Sequence, residues 1–184
     1  MKTYQNVGDK DIKLHIADTV FSLLEKKPID ELKVDEVRQK ANVGRTTYYR
    51  YFGSKRGIRD ALLYSLEAHF EEEQKKNPEK KTDDLFSSFL FDNKEKVLLL
   101  KKNNLMDILD DFVLFVYVPK EEKEEGVRLV RYIASGLWMG FIRALLENDF
   151  AKSKEEIQEE FRQGISALFL QANAQKEEEN KKKS

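Results

Sequence analysis

"NVGRTTYYRYFGSKRGI", residues 42–58, holds three arginines, one lysine and three tyrosines without a single acid, in a chain whose formal net charge is −1. Its surroundings share the bias. Residues 1–60 carry 13 basic against 9 acidic side chains, net +4, and residues 61–184 carry 20 against 25, net −5. A basic N-terminal part on an acidic remainder is the charge layout of a small phosphate-binding head on a larger body.

Working outward, the stretch opens on a break. Val34, Val37 and Ala41 share one face of a short predicted helix, 34–41, and "ANVG" then interrupts the period. Asn42 tolerates a left-handed backbone and Gly44 can start the next helix, so the chain can turn sharply within three residues. The spacing predicts that helix over 45–52, with Tyr48 and Phe52 facing inward and Gly53 stopping it. Upstream, Ile12, Ile16, Val20, Leu23 and Leu24 predict an amphipathic helix over 10–25, followed closely by Pro28. Downstream, Ser54 can cap a fourth helix carrying Ile58, Leu62, Leu66 and Phe70, which ends in the charged segment around Pro78.

Beyond Pro78 the periodicity predicts helices over 82–92, 94–102 and 105–118. The last contains "FVLFVYV", which is also consistent with a buried strand, but its helical neighbours offer no partner strand. A charged connection from Pro119 leads to a helix over 125–148 with an apolar stripe of Val130, Ile133, Ala134, Leu137, Trp138, Phe141, Ile142 and Leu145. "SKEE" at 153–156 reads as a capping box opening a last helix with Ile157, Phe161, Ile165, Leu168 and Phe169. The expected fold is all-α with about nine helices: a helix-turn-helix domain over 1–54, a helical bundle over 55–174 joined through a long connecting helix, and a charged tail over 175–184.

Composition narrows the function classes. The 184 residues include no cysteine, so there is no disulfide framework, thiolate metal site or cysteine nucleophile. The longest apolar run has seven residues, against the roughly 18 of a membrane helix, and no signal-peptide core is visible, so a cytoplasmic protein without a membrane partner is expected. His15 and His69 lie on separate helices with no nucleophile or acid pattern around them. With no glycine-rich phosphate loop and no metal-ligand spacing, an enzyme, a cofactor and a metal are all not expected.

Two short helices joined by a three-residue turn and packed on an earlier helix form a helix-turn-helix, whose second helix enters the major groove. Phosphates call for cations, with hydroxyls and phenols as neutral donors and no carboxylates to repel the backbone. Arg45, Thr46, Thr47, Tyr49, Arg50, Tyr51 and Lys55 supply that set, while Tyr48 and Phe52 form the apolar seam.

The segment "HIADTVFSLLEKKPIDELKVDEVRQKANVGRTTYYRYFGSKRGIRDALL" resembles the N-terminal domain of the TetR family of bacterial transcriptional regulators. In that family a recognition helix ends in a "Y-x-x-F" element followed by a small residue, "SK" and an apolar helix. The resemblance implies that Arg45 and Thr47 open the recognition helix against DNA, that Tyr49 and Lys55 meet phosphates, and that Arg50 and Tyr51 occupy the variable, groove-facing positions. Three departures stand out. Lys33 replaces a common capping threonine, so that phosphate contact becomes a charge or is lost. Asn42 and Gly44 replace glycine and serine in the turn. Arg56 and Gly57 stand where two acids are frequent, which removes a capping partner for Ser54.

"YIASGLWMGFIRALLENDFAKSKEEIQEEF" is similar to the end of a TetR subclass that includes an activator of dihydroxyacetone kinase operons. The resemblance implies a homodimer through the last two helices, with Gly136, Gly140, Ile157, Phe161, Ile165 and Leu168 at the interface. The two glycines either permit close approach of a partner helix or relieve crowding in one chain. Two heads on a two-fold axis would read a palindromic double-stranded DNA operator. Phe86, Phe89, Met106, Phe112, Phe115 and Trp138 either line a pocket for an unknown small-molecule effector or pack as core. The implied function is a repressor released by that effector; the alternative is an activator or a coactivator module with little DNA binding of its own.

Overall fold

The computed structural model describes residues 8–53, 56–118, 123–157, 159, 160 and 163. Among them are eight α-helices, one 3-10 turn and no strand. The protein is all-α. Helix α1 (Asp9–Leu24) buries Ile16, Ala17, Val20, Phe21 and Leu24, residues recurring at three to four positions along one face. It packs on α4 (Gly57–Lys76), which answers with Ala61, Leu62, Leu66 and Phe70. Between them lie the 3-10 turn (Ile29–Glu31), α2 (Val34–Ala41) and α3 (Arg45–Phe52).

Helix α4 runs from the head into the body and packs there on α5 (Thr82–Asp92) and α7 (Met106–Tyr117), with α6 (Lys94–Lys102) between the two in sequence. "FVLFVYV" lies largely within α7, where Phe112 and Val113 are buried. Helical period decides this: an α-helix satisfies its own backbone and needs no partner strand. Phe70, Phe86, Phe89 and Phe112 meet in edge-on and tilted pairs with centroids 5.4–5.9 Å apart, the geometry favoured by ring quadrupoles.

Helix α8 (Glu125–Glu147) lies against α7. Its broad apolar stripe divides in two. Ser135, Met139, Ile142, Leu145 and Leu146 enter the core, whereas Leu129, Val130, Ile133 and Leu137 are exposed, Leu137 at 72%. Although no uninterrupted apolar run is long, α8 has the length and composition to cross a bilayer, the one described helix to do so. Its inner face is nonetheless built into the packed core. The "SKEE" box forms: the Ser153 N–H donates to Glu156 Oε2 at 2.8 Å, the Glu156 N–H donates to Ser153 Oγ at 3.2 Å, and helix follows from Lys154.

Candidate nucleic-acid interface

Three local devices shape the head. Asn42 adopts φ 54° and ψ 45°, the left-handed conformation that asparagine tolerates, and ends α2. Gly44, extended at φ −69°, begins α3 two residues later. Tyr48 and Phe52 then point inward, fully and almost fully buried, and pin α3 to the core. Tyr48 pays for this position: its hydroxyl has no hydrogen-bond partner among the described residues, and burial pushes its pKa up to about 12.

Further tethers hold the head together. A ring nitrogen of His15 on α1 lies 3.2 Å from the Ala41 carbonyl oxygen at the end of α2. Lys13 places its ammonium 3.6 Å from the centre of the Tyr64 ring, and burial lowers its pKa. Glu36 accepts the Lys33 N–H at 3.1 Å and pairs with Lys27, so an acid reaching back caps α2 where the side chain of Lys33 does not.

With the seam buried, α3 turns its polar side outward. Arg45, Thr46, Tyr49 and Arg50 are exposed, Thr47 and Tyr51 half-buried, and Lys33 is exposed at the start of α2. The Arg45 guanidinium lies 5.5 Å from the centre of the Tyr49 ring, which in turn meets Tyr48 edge-on. This face of α3 carries Arg45, Thr46, Thr47, Tyr49, Arg50 and Tyr51, Lys33 stands exposed at the start of α2, and Lys55 with Ser54 lies outside the described residues. Residues 16–62 match bacterial regulatory proteins, tetR family. The matched segment is similar to the N-terminal domain of those regulators. It runs from Ile16 in α1 to Leu62 in α4, about a quarter of the chain, and contains all eight candidates. Among curated proteins none matches the chain. The tetR match supports a DNA-binding transcriptional regulator, and proteins of that family are regulators rather than enzymes.

Two features of the head are not visible in its sequence. Arg50 donates to Asp9 Oδ1 at 3.2 Å and to the Tyr51 hydroxyl at 2.6 Å, while Tyr51 donates to the same Asp9 oxygen at 2.7 Å. At the other end of α3, the "KRG" departure is given a physical reason. A Cβ on Gly57 would overlap the Phe52 carbonyl oxygen, and Arg56 reaches Asp111 at 3.2 Å and Asp107 at 3.6 Å on α7. Arg59 also pairs with Asp107, whose pKa it lowers chiefly through that hydrogen bond. The absent acids would meet α7 carboxylates at that place, and the arginines tie the head to the body instead.

A second tie crosses α1, α4 and α6. The Ser65 hydroxyl donates to Asp18 at 2.6 Å, His69 Nε2 lies 3.0 Å from the same carboxylate, and Lys96 lies 4.0 Å away. Burial pushes the Asp18 pKa up, but the hydrogen bonds of His69 and Ser65 and the attraction of His69 and Lys96 outweigh it and leave the pKa below the ordinary value. Ser65 and His69 converge on the acid. Nucleophile activation would instead set the hydroxyl against the imidazole, so the cluster joins helices.

In the body, Phe86, Phe89 and Phe112 are buried ring against ring, and Met106 and Phe115 are half-buried at the cluster's edge. Trp138 stacks on Tyr117 at 5.8 Å, and both donate to Asp83 Oδ1, at 3.2 and 2.8 Å. On α8, Gly136 and Gly140 are exposed, and a Cβ on either would meet nothing within 4 Å among the described residues, so within those residues neither glycine relieves crowding. Ile157, half-buried, packs against the chain's own core beside a cavity of about 90 Å³ that it lines with Phe141, Leu145 and Phe150. Phe161, Ile165 and Leu168 lie outside the described residues.

Proposed function

We propose that the chain is a cytoplasmic homodimeric repressor that holds a palindromic operator through α3 and lets go when a small-molecule effector binds the body. The observation that carries the DNA reading is the division of α3 into a buried Tyr48–Phe52 seam and an outward face of Arg45, Thr46, Thr47, Tyr49, Arg50 and Tyr51 within the tetR match. Arg45, Lys33 and Lys55 neutralise phosphates, Tyr49 and the threonines donate to them, and Arg50 reaches a guanine in the major groove. The intact cationic face speaks against a coactivator whose head no longer binds DNA.

The exposed stripe of α8 supports the dimer. Leu129, Ile133, Gly136, Leu137 and Gly140 recur on one face, and the bare glycine backbones leave room for a second helix at close range. For the effector, the reading places the site at the aromatic cluster of Phe86, Phe89, Met106, Phe112, Phe115 and Trp138. A ligand there must part rings now in contact, so it selects a body conformation in which they have separated. Arg56 and Arg59 then carry that change from α7 to the head.

The test is a selection of duplexes from randomised double-stranded DNA, followed by gel shifts. Tyr49→Phe combined with Lys55→Ala should weaken binding across all sequences, whereas Arg50→Ala should cost about 1–3 kcal/mol at one base position. Unchanged affinity in both variants would sink the reading.

A further inference from the structure

We infer that Asp9, outside the matched domain, is a specificity-determining residue: directly and through Tyr51, it positions Arg50 on the reading face of α3. The inference rests on the proposed role of α3 in the major groove. Asp9 is the first residue of α1, fixed by the turn at Gly8, whose N–H donates to Asp11. Its carboxylate stands some forty residues from α3 in sequence yet receives both side chains.

The contacts form a directed chain. Tyr51 gives its only hydroxyl proton to Asp9, which leaves its oxygen lone pairs to accept from Arg50. The Arg50 guanidinium also lies 4.6 Å from the centre of the Tyr51 ring. The bond to Asp9 raises the Tyr51 pKa, which keeps the proton in place for this role. A long arginine loses much rotamer freedom on meeting a base, and one already held loses less. Asp9 therefore restricts Arg50 to one approach, and so to one base pair, while its negative charge opposes nearby phosphates. It trades affinity for discrimination.

Both solvent-exposed partners limit the size of the effect, since Arg50 and Asp9 are 55% and 78% exposed in their side chains. Loss of such a pair corresponds to roughly a 1.5- to 5-fold change. The experiment measures the full-length protein on the duplex recovered by selection and on its single-base variants. Asp9→Ala should lower discrimination by about that factor at the position Arg50 reads, while raising affinity for all duplexes. Asp9→Asn keeps an acceptor for Tyr51 and should restore most of the discrimination while keeping the higher affinity. In an Arg50→Ala background, Asp9→Ala should leave base preference unchanged.

Unaltered discrimination in Asp9→Ala, or a loss that persists without Arg50, would overturn the inference. A lowered melting temperature with base preference intact would mark a purely structural residue and overturn it too. If Arg50→Ala alone leaves base preference intact, the groove reading of α3 fails, and the Asp9 inference with it; a normal loss in Arg50→Ala beside an unaltered Asp9→Ala overturns the Asp9 inference alone.

Discussion

Replacing both Gly136 and Gly140 by alanine should weaken the protein, although the single chain says the opposite. Within the described residues the new methyl groups would touch nothing within 4 Å. Alanine is better than glycine in a helix interior by about 0.5–1 kcal/mol, so the two substitutions together should add about 1–2 kcal/mol to one chain. The proposed two-fold partner reverses the sign. Each substitution then enters twice, and an extra methyl in a close helix contact costs about 1–3 kcal/mol. The dimer contact would lose about 4–12 kcal/mol, and the gain in helix propensity, common to folded monomer and dimer, does not offset that loss in the dissociation constant. A dissociation constant raised at least about tenfold is expected, since that needs only about 1.4 kcal/mol. Sedimentation equilibrium over a concentration series measures it, with melting temperatures at the same concentrations. A variant as dimeric as the parent and more stable would refute the reasoning. So would a stability loss that does not vary with concentration, because the group covering that face would then belong to the same chain.

Gly57→Ala should also destabilise. Its Cβ would overlap the backbone oxygen of Phe52, and a cost of about 1–3 kcal/mol exceeds the gain of at most about 1 kcal/mol in helix propensity. Thermal unfolding should show a lowered midpoint, and an unchanged one would contradict the close approach of α3 and α4. Acid should unfold the protein partly through Asp18. Its pKa is lowered in the folded chain, so its stabilisation is present above the ordinary value of 3.8 and disappears as pH falls through the lower folded value. Asp18→Asn should remove that part of the acid slope in a melting-temperature profile; an identical slope in both proteins would show that the cluster contributes nothing.

The α2–turn–α3 unit was legible because its signals are local. Asn42 and Gly44 mark the turn by what their backbones tolerate, and Gly53 ends α3 just after Phe52. Helix α7 was legible only through its neighbours, since an apolar run has no period that separates a buried helix from a strand. The stripe on α8 could not be divided by pattern alone: Met139 and Leu137 are equally apolar, yet one is buried and the other 72% exposed. What decides between them is the position of α7, a tertiary fact. The same holds for Asp9 and Arg56. Their partners lie about 40 to 55 residues away, and no spacing rule connects them. Gly57 looked like a missing acid because the constraint sits on the Phe52 carbonyl, which belongs to the preceding helix.

The most direct test of the DNA reading is the salt dependence of binding by the full-length protein to a selected duplex, compared with Arg45→Ala. The logarithm of the binding constant should fall linearly with the logarithm of salt concentration, and Arg45→Ala should flatten that slope by about 1 per head while weakening all sequences alike. Binding that ignores salt, or a slope that Arg45→Ala leaves untouched, would contradict the assignment of this face to DNA.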